Sequence, residues 1–306
     1  MITKVKRMVE MTEKIKPEQR FTMERDGFYG EYYRAKDNAF PDKCMIAFGG
    51  SVGKFLLSQM MAWEFAAAGM DVLILAYHGE PGLPKLLKDQ PVDVIEKAAM
   101  WLKARGYEKI GLWGVTMGGC LALLAGSLLP ELISCVVASA PMEMVPQAED
   151  SKCPIPGSAF SFHGRSLPYV RYIPDGKAWK MAFLKETLRH KEPCTIDLLR
   201  TAYEKNDEPE AVIKIWNIRG PILVLGSEMD SMCPDVETIR RYGAQLKEHA
   251  FPYRFESRIY PHLGHFILPV RPYSSALFLS ERKYKKECAA ERKQSWEDTL
   301  AFLRAW

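Results

Sequence analysis

The stretch Trp113-Gly114-Val115-Thr116-Met117-Gly118-Gly119 constrains this chain most. It has the G-x-nucleophile-x-G form of a sharp turn from a strand into a helix, with threonine at its centre. Such a turn holds its central residue in a strained backbone conformation and lifts the side-chain oxygen over the sheet. Glycines flank it because no Cβ fits there. The neighbours agree: Lys109-Ile110-Gly111-Leu112-Trp113 reads as a short buried strand, and Cys120-Leu121-Ala122-Leu123-Leu124-Ala125 as the apolar start of a helix. Alone the pattern is weak, since glycine-flanked strand ends are common where strands and helices alternate, so the rest of the chain has to supply partners.

A nucleophile on such a turn needs an acid after a later strand and then a histidine near the end of the sheet. Pro221-Ile222-Leu223-Val224-Leu225-Gly226 is an apolar run ending in glycine, and a polar loop follows it directly, which makes Asp230 the candidate acid. Asp230 could instead order its own loop or cap the helix that begins near Val236. Glu228 is the second candidate, closer to the strand end. Residues 253–260 alternate like a strand and lead into Pro261-His262-Leu263-Gly264-His265-Phe266. His265 is favoured as the base because Gly264 frees the backbone to turn the ring inward, whereas His262 follows proline.

An anion site is expected where the strand at residues 44–48 runs into Gly49-Gly50-Ser51-Val52-Gly53. Its donors would be the backbone N–H groups of Ser51 and Met117, with Gly50 beside the substrate. A plain glycine turn into a helix at residues 56–68 is the alternative. A phosphate-cradling loop is disfavoured because Lys54 is followed by Phe55. Nucleophile, acid and histidine in this order describe an α/β-hydrolase fold, with a mostly parallel central sheet flanked by helices.

After the strand at residues 133–139 the alternation of strand and helix stops and resumes only at Pro221, so residues from about 142 to about 218 read as a cap insertion. Residues 154–157 and 168–174 read as irregular and residues 178–188 and 196–211 as helices. Phe160, Phe162, Tyr169, Tyr172 and Trp179 are candidates to line a pocket, with Tyr169 and Tyr172 chosen as substrate contacts. For any one of them, gluing the cap to the core is the alternative role.

Phe48-Gly49-Gly50, Asp71 through Tyr77-His78, the turn at Thr116, the Asp230 loop and Tyr260-Pro261-x-x-Gly264-His265-x-Ile267-x-Pro269 together resemble one family. It is the acyl-CoA thioester hydrolase and bile acid-CoA:amino acid N-acyltransferase family, in its C-terminal catalytic domain. The resemblance runs from about Pro41 to the C-terminus, where residues 289–304 resemble the closing helix. It implies a small-molecule acyl thioester or ester substrate, with coenzyme A as a candidate carrier whose phosphates Arg165, Arg171 and Lys177 could meet.

Two features depart from the family. Its eukaryotic members carry an N-terminal β-sandwich, for which the residues before Pro41 are too few. Its thioester hydrolases use serine and its acyltransferases cysteine, where this chain has Thr116. Threonine's extra methyl resists the strained turn and crowds the attack path, so turnover should be slower. Cys120 and Cys233 read as space-filling rather than as substitutes. Three readings stay open: a hydrolase working through Thr116, His265 and Asp230 with an acyl-enzyme intermediate, an acyl-CoA:amino acid N-acyltransferase, and an inactive hydrolase fold that binds a ligand or partner.

Composition narrows the setting. A chain of 306 residues, 47% of them hydrophobic, can bury one large α/β core, so a single domain is expected. Residues 1–40 would form an N-terminal extension with a hairpin at residues 21–35. The net charge of +4 comes from 42 basic and 38 acidic residues spread along the chain, with only Lys283-Tyr284-Lys285-Lys286 as a basic block, so nucleic acid is not implied. Residues 1–20 carry charges too frequently for a signal peptide, and no apolar run reaches the ~18 residues of a membrane span. The seven cysteines lack metal-ligand spacing and fit reduced thiols in a cytoplasm. No metal or cofactor is expected, and the oligomeric state is not fixed.

Overall fold

Several segments of the chain are apolar along their whole length rather than alternately, which suits strands covered on both faces. A computed structural model describes residues 15–51, 54–151 and 153–306 and places these segments together. In chain order the strands are β1 (Gln19–Phe21), β2 (Tyr29–Tyr33), β3 (Lys43–Phe48), β4 (Asp71–Ala76), β5 (Gln90–Pro91), β6 (Lys109–Val115) and β7 (Cys135–Ser139). They continue with β8 (Gln147–Asp150), β9 (Cys153–Ser158), β10 (Phe160–Phe162), β11 (Arg165–Ser166), β12 (Ile222–Ser227) and β13 (Phe255–Tyr260). Eight form the main sheet in the order β1-β2-β4-β3-β6-β7-β12-β13. Pairing is parallel from β4 to β13 and antiparallel at β1 and β2.

The pleat distributes each strand between two cores. Cys44, Ile46 and Phe48 of β3 join the cluster formed with helices Asp93–Ala104, Met117–Leu128 and Asp235–Glu248. Met45 and Ala47 face the opposite cluster, with Leu57, Met61 and Phe65 of helix Lys54–Ala67 and Phe302 and Leu303 of helix Lys285–Arg304. This is the α/β-hydrolase fold. The hairpin expected in residues 21–35 lies earlier, with β1 and β2 paired from Gln19–Tyr32 to Phe21–Gly30 around the short helix Met23–Asp26. It is integral to the sheet, because β2 pairs with β4 from Tyr29–Ala76 to Tyr33–Val72.

The segment between β7 and β12 contains the β8–β9 hairpin, the short strands β10 and β11, and helices Gly176–His190 and Ile196–Glu204. Two expectations are corrected here. Residues 154–157 are strand rather than irregular, because β9 pairs with β8 alone among the described residues and Pro154 and Pro156 are tolerated on such an edge. The helix expected at residues 196–211 stops at Glu204. Asn206 then bonds the backbone of Glu208 in both directions, and Pro209 opens a separate 3₁₀ turn. All seven cysteines are free. Among the described residues no helix is long and apolar enough to cross a membrane. Most of the segment read as lacking a signal peptide, residues 1–14, lies outside the described residues, as do Val52 and Gly53 of the glycine loop.

Candidate active site

At the carboxyl end of β6 the chain turns straight into helix Met117–Leu128, and Thr116 occupies the turn with φ 56° and ψ −120°. A β-branched residue there carries backbone strain of about 1–3 kcal/mol. The surroundings enforce it. Thr116 N–H donates to Ser139 O at 2.8 Å. A Cβ on Gly114 would lie 2.0 Å from Gly118 O, and one on Gly118 would lie 2.3 Å from Gly49 O. The glycines of the motif are therefore demanded by close backbone approach. Gly50 meets the same limit from the other side, since its Cβ would sit 2.2 Å from Thr116 Oγ1.

Asp230 and His265 come together at the ends of β12 and β13. His265 Nδ1 lies 2.7 Å from Asp230 Oδ2, and both side chains are buried. Asp230 Oδ1 accepts from the N–H groups of Met232 at 2.6 Å and Cys233 at 3.0 Å, so Asp230 orders its own loop and also holds the histidine. That loop is braced by the connection between the two insertion helices: Ser231 Oγ donates to Pro193 O and Thr195 Oγ1 to Met232 O, each at 2.7 Å. His262 faces elsewhere, with Nδ1 2.6 Å from Glu291 Oε1, and Glu228 is exposed. Gly264 acts differently from the expectation. Its φ is not left-handed, and a Cβ would lie 2.7 Å from Ser280 Oγ, so it is close packing that requires glycine.

Helix Lys285–Arg304 fixes the histidine loop. Glu291 Oε2 accepts from the N–H groups of His262 and Leu263, each at 2.9 Å. Arg292 donates to the carbonyls of Phe266 at 3.0 Å and Leu268 at 3.2 Å, and Ser139 Oγ donates to Ile267 O at 2.7 Å.

Thr116, Met117, Ser51 and His265 line one cavity of about 170 Å³, otherwise mainly apolar through Met142, Phe183, Leu199 and Phe278. Met117 opens its helix, so its N–H lacks a helical acceptor and sits at the positive end of the helix dipole. The glycine loop is held from behind by residues the sequence reading assigned no role. Tyr77 OH donates to Gly49 O at 3.1 Å, and Gly49 N–H donates to Ser58 Oγ at 3.1 Å. His78 lies against the Gly50 backbone, and burial holds its imidazole below the ordinary pKa. Only the Tyr77-His78 string in the family resemblance pointed to these two.

Of the proposed contact residues, Tyr172 lines the cavity and stacks on Trp179, which also lines it, with ring centroids 4.4 Å apart. Tyr169 does not reach it. Its hydroxyl accepts from Gly157 N–H at 3.3 Å, and it borders a second, more polar cavity of about 550 Å³ with Arg171, Lys205 and Tyr172, which lines both. Phe160 is core, and Phe162 stacks on His163. Arg165 and Lys177 are exposed.

Cys233 borders the first cavity, but burial and then the neighbouring Asp230 push its thiol far up, and burial does the same to Cys120. Neutral thiols are poor nucleophiles. Donor atoms of Asp230, Cys233 and His265 lie within 4.8 Å of one another, close enough to hold a metal. Two of these atoms face each other directly, His265 Nδ1 and Asp230 Oδ2 at 2.7 Å.

Residues 91–305 match the family described as BAAT / Acyl-CoA thioester hydrolase C terminal. A curated relative, the mitochondrial acyl-coenzyme A thioesterase 2 of Rattus norvegicus, is 23% identical over 216 residues, 70% of this chain and 43% of that protein. The chain thus spans less than half the length of that relative. Among solved structures, an esterase of Pyrococcus furiosus superposes with a TM-score of 0.54 at 15% identity, covering 94% of both chains. The acylaminoacyl peptidase of Pyrococcus horikoshii gives 0.52 at 13% identity, covering 96% of this chain and 42% of its own.

Proposed function

Because the chain belongs to the BAAT / acyl-CoA thioester hydrolase C-terminal family, we propose that it hydrolyses acyl thioesters or esters through an acyl-enzyme formed on Thr116. The observation that carries this reading is the buried Asp230–His265 pair, whose imidazole shares a cavity with the strained Thr116. With Nδ1–H donated to Asp230, the other ring nitrogen, Nε2, is the acceptor, and it takes the proton from Thr116 Oγ1 as that oxygen attacks the acyl carbon. The N–H groups of Ser51 and Met117 stabilise the oxyanion. His265 then protonates the leaving thiolate or alkoxide, and water, deprotonated by the same nitrogen, releases the acid and restores Thr116.

The apolar cavity suits the acyl chain, and the second cavity behind Tyr172, with Arg171 and Lys205, suits a polar carrier such as coenzyme A. The described residues read as one domain, with residues 142–218 as its cap. The seven free thiols favour a reducing compartment such as the cytoplasm.

The test is a panel of p-nitrophenyl esters and acyl-CoA thioesters, with acyl-enzyme followed by mass spectrometry. Thr116→Ala should abolish the acyl-enzyme, and Thr116→Ser should keep the fold and raise turnover by relieving the β-branch. His265→Ala should lower kcat roughly a thousandfold or more, and His262→Ala less than about tenfold. Turnover of Thr116→Ala equal to the parent's would refute the assignment.

A further inference from the structure

Helix Gly176–His190 has two apolar faces, and one of them is left open by the described residues. Trp179 and Phe183 face the cavity that Thr116 lines. On the outer side Met181, Leu184 and Leu188, at spacing i, i+3, i+7, are 64%, 48% and 70% exposed. Lys177, Lys180 and Lys185 are exposed beside this stripe. The helix carries four basic residues, Lys177, Lys180, Lys185 and Arg189, against the single acidic Glu186. Its ion pairs join Glu186 to Arg189 and His190, so the three lysines are unpaired among the described residues.

A second apolar edge lies at the end of the same helix. Leu277 is 56% exposed and also lines the cavity, and Leu279 N–H and Arg282 bond Glu192 and the Lys191 carbonyl just past the helix.

We propose that this helix docks on an anionic lipid surface, with Met181, Leu184 and Leu188 in the headgroup–acyl boundary and Lys177, Lys180 and Lys185 on the phosphates. An exposed leucine and methionine stripe flanked by lysines is the composition that lies in the plane of such an interface: the apolar side chains leave water, and the long lysine stems reach back to the headgroups. A second copy of the chain is a poorer occupant. Two such faces packed together would set each copy's unpaired lysines against the other's, with no acidic residue on the stripe to answer them. Continuity with the cavity gives the surface a use, because an apolar acyl chain leaving a lipid phase would enter beside Phe183 and Leu277. The docking itself stands on the helix and holds whether or not Thr116 turns over.

Flotation of the full chain with phosphatidylcholine vesicles, with and without phosphatidylserine, tests it. The parent should float with the anionic vesicles only and be released by salt. The combined Lys177→Gln, Lys180→Gln and Lys185→Gln variant should partition roughly a hundredfold less, from about fivefold per lysine. Met181→Ser, Leu184→Ser and Leu188→Ser together should abolish binding while the lysines remain, with an unchanged circular dichroism spectrum showing that the fold persists. No binding by the parent, equal binding to neutral and anionic vesicles, or a dimer in solution that the serine variant dissolves would each overturn the proposal.

Discussion

Thr116 sits at φ 56° and ψ −120°, where a γ-branched or smaller side chain would fit with less crowding, yet the backbone around it is built as tightly as the fold allows. Gly264, offered as the reason to prefer His265, is required by packing against Ser280 instead, while the tight turn at Thr116 and the meeting of Asp230 with His265 were readable from glycine placement and chain order. Asp235 was not. It is 2% exposed, and its Oδ2 accepts from Ser227 N–H at 2.9 Å. Nothing in a strand–loop–helix pattern distinguishes such a residue from an ordinary first-turn aspartate. Burial first, and then the charge of Asp230, hold its pKa well above the ordinary 3.8. An unfolded aspartate ionises near 3.8 while the folded one keeps its proton, so the unfolded state binds fewer protons and stability falls as pH rises from 3.8 toward the folded value. Asp235→Asn removes that loss, because the amide can still accept from Ser227 and cannot ionise. Melting curves taken between roughly pH 5 and 8 should show a Tm advantage for Asp235→Asn that grows with pH. A constant or shrinking advantage would mean that Asp235 is ionised in the native protein.

At the scale of elements, the insertion was visible as a break in alternation, but its inner face was not. Aromatic content could nominate Tyr169, Tyr172 and Trp179 together, whereas only the packing separates the two rings that line the cavity from the one that borders its neighbour. The closing helix was likewise recognised as a helix, without any sign that Glu291 and Arg292 would hold the histidine loop through its backbone. Trp179 offers the sharpest test of the inner face. Each methylene buried in the cavity contributes about 0.8 kcal/mol, nearly fourfold in kcat/KM, until the space is full. Medium acyl chains should therefore outperform acetyl in the parent. Trp179→Ala, which removes the ring stacked on Tyr172, should shift the optimum to longer chains with little change for acetyl. Chain-length profiles of kcat/KM that coincide for parent and variant would place the acyl chain outside this cavity.

Over the whole molecule, the chain before Pro41 looked like an extension because the family resemblance begins there, yet β1 and β2 are the first strands of the sheet. Local patterning shows a hairpin and cannot show which edge it joins. The cost of losing it follows from what it covers. Phe21, Phe28, Tyr32 and Tyr33 are all at most 2% exposed, and burying each contributes about 1.5–3 kcal/mol. Their sum, roughly 6–12 kcal/mol, matches the whole stability of an ordinary domain. Removal would also open the edge of β4 and take from the buried Asp71 the Ala35 N–H at 2.7 Å and the Tyr32 hydroxyl at 3.3 Å, leaving Tyr107 as its remaining partner. A chain beginning at Pro41 should therefore be recovered aggregated and without a cooperative melting transition, although every residue of the proposed triad is still present. Adding residues 15–40 back should restore the transition and the activity together. A soluble chain from Pro41 that melts cooperatively within a few degrees of the parent would show that β1 and β2 are dispensable to the sheet they edge.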